Sequence, residues 1–256
     1  MKKFELTSEF VTNIFGKKLF RIKALVEFGD VEAGEFGGYV EKEENLSHDG
    51  NAWVYGNAMV YGDAEVYGNA RVCGDAMVYG NAMVCGDAMV YGNAMVYGDA
   101  EVYGNARVYG NAWVSGDAEV YGNARVYGNA RVYGDAWVYG DAEVYGNARV
   151  CGDAEVYGNA RVYGDAWVYG NARVSGDAEV YGNADYAYAH GFGSVNRTTT
   201  FFRLKDGGVG VRCGCFYGTL DKFREKVRET HGEGKLAQEY LMLADLMEMR
   251  FTKEEG

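Results

Sequence analysis

From Val54 to Val180 a valine stands at every sixth position without a miss, 22 in all, and an alanine stands two residues before each of them. The unit reads Ala-x-Val-Tyr-Gly-Asn/Asp, as in the six residues from Ala100 to Asn105. Period-two alternation puts Ala and Val on one side of a short strand, and x and Tyr on the other. Gly followed by Asn or Asp combines the residue types that best tolerate a positive φ, so each hexad ends in a corner. Strand and corner in unbroken alternation make a solenoid. Its interior is lined by Val and Ala, because short walls leave little room. The six-residue period is compatible with coils of two, three or four sides.

The array resembles the hexapeptide-repeat family over roughly half of the chain. That resemblance implies an all-β solenoid, a left-handed parallel β-helix with three hexads per coil, in which residues 18 apart stack. About seven coils at a strand spacing of ~4.8 Å would give a rod roughly 35 Å long. A solenoid exposes unpaired strand edges at both ends, and the flanks supply covers. Residues 1–50, with the alternating stretch Leu19 to Phe28, read as an N-terminal β cap leading through Val40 and Leu46 into an irregular first coil. This leader resembles that of bacterial and phage-encoded hexapeptide-array proteins, which points to a phage or mobile element and brings no activity with it. Residues 51–190 are the β-helix. Residues 191–256 read as a small C-terminal ββαα module: a hairpin turning at Asp206-Gly207-Gly208, a helix capped by Thr219 and ending near Gly232, and a second helix from Lys235 to Phe251.

Composition narrows the class. A net charge of -12 argues against a phosphate-backbone binder, so no direct nucleic-acid contact is expected. No apolar run of about 18 residues occurs, so no membrane span is expected. The opening MKKFELTSEF lacks the apolar core of a signal peptide. Five cysteines without a framework spacing fit free thiols in a reducing cytoplasm.

The resemblance also raises an enzyme, because the best-known hexapeptide proteins are acyltransferases with a histidine base. The three histidines, His48, His190 and His231, all lie outside the hexads, and no hexad carries an insertion. A base needs a cleft and an orienting partner, and a smooth prism offers neither; His190 is the residual candidate. Cys213 and Cys215 would lie on one strand face, a weak metal candidate beside the plainer reading of a packing pair, since zinc wants four ligands. No cofactor is expected.

Information is therefore carried by the outward positions. The x positions hold 7 Arg, 6 Glu, 5 Met and 4 Trp, and the positions after Val hold 17 Tyr, 3 Cys and 2 Ser. In an 18-residue coil Met59, Met77, Met95 and Trp113 stack beside Tyr61, Tyr79 and Tyr97, an apolar strip of the kind that marks contact surfaces. Arg125, Glu143, Arg161 and Glu179 form a charge ladder on another face. Asp63, Asp99, Asp117, Asp135 and Asp153 share one edge. The expected function is a non-enzymatic scaffold or binding protein acting through flat faces and end modules. Its partner would be another protein or further copies of itself, a homotrimer among them. The alternatives are an acyltransferase-like enzyme and an acidic polyanion mimic that inhibits a nucleic-acid-binding host protein.

Overall fold

Each hexad of the array forms one short strand, and strands 18 residues apart pair in parallel register, Val78 with Val96 and Val96 with Val114 for example. The computed structural model describes residues 1–193 and 195–252; Ser194 and positions 253–256 of the C-terminal module lie outside the described residues. Pairing at 18 residues closes each coil with three sides. The first face runs through Met59, Met77, Met95, Trp113, Arg131, Arg149 and Trp167. The second runs from Trp53 through Arg125, Glu143 and Arg161 to Glu179, and the third from Glu65 through Glu119 and Trp137 to Arg173. The interior is as narrow as the repeat implies: every array alanine and valine is fully buried, and at each coil these small residues meet across the axis.

The corners explain why the repeat tolerates so little change. Gly116 adopts φ 71°, a region that costs residues bearing a Cβ of order 1–3 kcal/mol. A Cβ there would also meet the amide nitrogen of Gly134, directly above it, at 2.9 Å. The residue after the glycine ties coils together: Asn93 donates its side-chain amide to Asn111 (3.1 Å), Asn111 to Asn129 (3.2 Å), and Asn147 to Asp165 (3.0 Å). Asparagine both gives and accepts in such a ladder, whereas aspartate can only end it.

Both ends of the solenoid are finished by side chains. At the N-terminal end the antiparallel strands Phe4–Thr12, Lys18–Ala24 and Phe36–Val40 extend the first face, the last of them pairing in parallel with Met59–Gly62. Val40 and Leu46 sit opposite Val60 and Val66, 20 residues on rather than 18. The first coil is therefore irregular, with two extra residues between Leu46 and Val54. Its exposed backbone is satisfied by Lys3, whose amine donates to the carbonyls of Ala52 (2.9 Å) and Gly50 (3.3 Å), and by Asn45, which donates to Ala64 (2.8 Å) and Gly62 (3.0 Å). Phe4, Phe28 and the buried Trp53 plug the core beneath them.

At the other end, Thr200 accepts a hydrogen bond from the Arg173 amide (2.9 Å) and Asn183 from the Trp167 amide (2.8 Å). The hairpin at Asp206-Gly207-Gly208 and both helices form as read, with Thr219 accepting from the Lys222 amide and Gly232 ending α1 (Leu220–His231) before α2 (Lys235–Phe251). Two further strands, Tyr186–Phe192 and Phe216–Thr219, widen the hairpin into a four-stranded antiparallel sheet. The strand Arg197–Arg203 serves two cores by alternation: Phe202 closes the solenoid, and Phe201 packs with Phe223, Val227 and Tyr240 beneath the helices. Among the described residues no helix is long and apolar enough to cross a membrane.

Gly116→Ala is expected to lower the melting temperature by several degrees, the effect of about 1–3 kcal/mol. Gly182→Ala, at a glycine with no positive φ and no atom within 4 Å of an added Cβ, is expected to stay within about 0.5 kcal/mol of the parent. Equal melting shifts for the two variants in circular dichroism would show that corner stacking does not hold the coils.

Candidate functional surface

The strip on the first face is assembled in the register of a three-sided coil. Met59, Met77, Met95 and Trp113 occupy consecutive strands, and the Tyr61, Tyr79 and Tyr97 rings stack beside them with centroids 4.9 and 5.0 Å apart and planes within 3° of parallel. Offset stacks of this kind add about 0.5–1.5 kcal/mol per pair beyond the area they bury. Not all of the strip is open, however. The N-terminal hairpin folds down over its beginning: Leu19 and Tyr39 pack on Tyr61, which is only 5% exposed, with Val11, Met59 and Tyr79 around them. Tyr61 therefore belongs to the cap's core rather than to a free surface, and the open part of the strip comprises Met77, Met95, Trp113, Tyr79 and Tyr97, each partly exposed. Sequence reading missed this because alternation places Leu19 on a strand face without saying which face of the solenoid it will meet.

Beyond Trp113 the strip turns cationic. The Arg131 guanidinium lies over the Trp113 ring, 4.4 Å from its centroid, and Arg149 faces Trp167 at 5.9 Å. On the second face the charge ladder is present, with Arg125 and Arg161 on either side of Glu143 at 3.4 and 3.9 Å and Arg161 at 3.8 Å from Glu179. Such exposed pairs contribute about 0.2–1 kcal/mol each. Tyrosines of the third face lean on glutamates, Tyr103 donating to Glu119 at 2.7 Å and Tyr139 to Glu155 at 3.2 Å.

The acidic edge is four residues long rather than five. Asp99, Asp117, Asp135 and Asp153 lie on consecutive coils and are all exposed. Asp63 is separated from them by Asn81, which donates to Asp99 (2.8 Å), and is itself paired with Lys42 (2.6 Å).

The remaining candidates are dispersed. His190 is exposed on the strand Tyr186–Phe192, with its Nδ1 2.8 Å from the Thr198 hydroxyl. His48 is better furnished: its Nδ1 accepts from the Lys3 amide (3.2 Å), its Nε2 lies 3.6 Å from Glu43, and it borders a cavity of about 670 Å³ with Glu44, Asp49 and Glu65. The one signal for this cavity in the sequence is the step from Leu46 to Val54, eight residues where the array uses six. Cys213 ends its strand and Cys215 lies in the following turn, so the two do not share a strand face as expected. Gly214 between them takes φ 57°, which makes the Cys-Gly-Cys run a hairpin turn. Cys213 accepts from the Thr199 hydroxyl (3.1 Å), and both thiols line a cavity of about 350 Å³ with His231. Among the described residues no group of three or more His, Cys, Asp or Glu side chains is placed to hold a metal ion.

The family description "YdcK Beta solenoid repeat" matches residues 52–68, 70–86, 82–98, 100–116, 118–134, 124–140, 154–170 and 166–182. All of these segments lie in the hexad array. No curated protein matches the chain.

Burial makes the fold sensitive to alkali. Tyr61 and Tyr127 are pushed up to about 12, chiefly by burial, whereas an unfolded tyrosine loses its proton near pH ~10. Between those values the folded chain holds more protons than the unfolded chain, so stability falls as pH rises. Lys3, lowered to about 8 by burial, works the other way: its folded amine gives up its proton while the unfolded one keeps it to about 10.4. The melting temperature is therefore expected to hold or rise slightly from pH 8 to 10 and to drop beyond pH 10. A profile flat through pH 12 would contradict this account.

Proposed function

We propose that this β-solenoid is a non-enzymatic scaffold that binds protein, further copies of itself included, through the open strip on its first face. The observation that carries this reading is the continuous, in-register stack of Met77, Met95 and Trp113 beside Tyr79 and Tyr97. Met77, Met95 and Trp113 are consecutive on one face of a rigid wall, and methionine and aromatic side chains are residue types favoured at interface centres. Rigidity favours binding, because stacked side chains have little rotamer freedom left to lose. The acyl-transfer alternative has less support at the histidine expected to carry it, since His190 meets a threonine hydroxyl and no carboxylate among the described residues. The leader's resemblance to phage-encoded arrays fits a protein carried by a phage or mobile element, working in the cytoplasm.

Two variants test the strip while leaving each remaining coil its alanine and valine interior. Met95→Glu places at an x position a residue that six other hexads already carry there. Deleting the hexad Ala82–Asp87 leaves every coil with its Ala and Val but turns everything beyond it by one face, so that Met77 meets Glu101 and Met95 meets Arg71. Native mass spectrometry of the parent is expected to show a homo-oligomer or a captured protein, and both variants are expected to run as monomers with unchanged circular dichroism. A parent that is monomeric and captures nothing, or variants that keep its assembly, would end this reading.

The four stacked aspartates favour a second reading, mimicry of a nucleic-acid backbone toward a basic protein. The readings separate on salt. A complex made through the aspartate edge is expected to weaken steeply between 50 and 500 mM salt, whereas one made through the Met–Trp strip is expected to change little.

A further inference from the structure

On the first face the tyrosine column is interrupted twice, and the two interruptions are treated differently. At Cys151 the missing ring is replaced from the next coil: Trp167 lies across the gap, its indole N–H donates to the Cys151 sulfur at 3.0 Å, and Cys151 is only 7% exposed. At Ser115 the corresponding residue of the next coil is Arg131, and its guanidinium is held over the Trp113 ring instead. The gap stays open as a cavity of about 230 Å³ lined by Tyr97, Trp113, Ser115, Arg131, Tyr133 and Arg149. An enclosed cavity of about 150 Å³ suffices for benzene in other proteins.

The dimensions of the opening follow from the coil. Tyr97 and Tyr133 are two coils apart, twice the strand spacing, or about 10 Å. Ring centroids in the unbroken column are 4.9 and 5.0 Å apart, so the slot has the thickness of one more ring stacked between its two walls. Its charge is equally defined. Arg125, Arg161 and Arg173 are engaged by glutamates, whereas Arg131 and Arg149 rest against indoles and have no carboxylate within 4.0 Å among the described residues. The slot thus offers aromatic walls from Tyr97 and Tyr133, two guanidinium groups free to take an anion, and the Ser115 hydroxyl.

We propose that this slot is a binding site for a small aromatic anion, a single planar ring carrying a carboxylate or phosphate group. The ring completes the tyrosine column between Tyr97 and Tyr133, and the anionic group is held by Arg131 and Arg149. The slot shares Tyr97 and Trp113 with the strip, and the proposal stands whether or not the strip binds protein.

Isothermal titration of the full chain with phenyl phosphate, inorganic phosphate and benzyl alcohol separates the contributions. Phenyl phosphate is expected to bind at least tenfold more tightly than either of the others, because only it uses both the aromatic walls and the arginines. Ser115→Tyr restores the residue that 17 hexads carry at this position; it keeps the fold, fills the slot and is expected to weaken phenyl phosphate at least tenfold. Arg131→Gln, at an outward position, is expected to bring phenyl phosphate down to the affinity of benzyl alcohol. Arg125→Gln on the second face is expected to change nothing. The proposal is overturned if phenyl phosphate binds no better than inorganic phosphate, or if folded Ser115→Tyr binds it as the parent does.

Discussion

Everything in this molecule depends on glycine lying on glycine at the corners. A positive φ repeated every six residues turns the chain by the same amount each time, and the approach of one corner backbone to the next leaves no space for a side chain. That contact fixes the register between coils, and register converts a one-dimensional repeat into columns. Valine then meets valine, tyrosine meets tyrosine, and asparagine can pass a hydrogen bond to the asparagine or aspartate above it. The hydrophobic interior stabilises the coil without specifying position along it, because all the hexads present the same alanine and valine inward. Specificity of position is therefore left to the outward residues and the ends.

The ends bear the greatest burden because an array of identical coils has no internal signal to stop. Lys3 and Asn45 on one side, and Thr200 and Asn183 on the other, supply the donors and acceptors that a further coil would have supplied. Phe202 and Trp53 close the apolar bore with aromatic bulk that a regular coil could not hold. An edge strand with its hydrogen bonds already taken is a poor template for pairing with another chain. The ionisable Lys3 is buried here because two backbone carbonyls compensate it, at the expense of a lowered affinity for its proton.

The solenoid was legible because its physics is local and repeated. Alternation, the corner residues and the small interior follow from six letters, and the columns followed once three sides were implied by resemblance. The hairpin, the Thr219 cap and both terminal helices were equally local signals. Long-range placement was not legible. Nothing in Leu19 says that it will lie on Tyr61, nothing in the Cys-Gly-Cys run marks it as a turn rather than a strand, and the strands Tyr186–Phe192 and Phe216–Thr219 become visible only as partners of the hairpin between them. Of the candidate surface, the order of residues could be read directly; its exposure, and the open gap at Ser115 against the filled one at Cys151, required the neighbouring coils in place.

The N-terminal cap also precedes the array in the order of synthesis. A chain emerging at about 5–20 residues per second delivers one 18-residue coil every few seconds at most, and each new coil finds a finished platform beneath it. A cap that comes before the array thus offers each coil a base to pair on, so the order of the chain favours growth from a sealed end toward a free edge. Only when the strand Arg197–Arg203 arrives, with Phe202 to stop the bore, does that edge disappear. Until that strand is in place the bore has an open end, and the module that follows the array is the one that closes it.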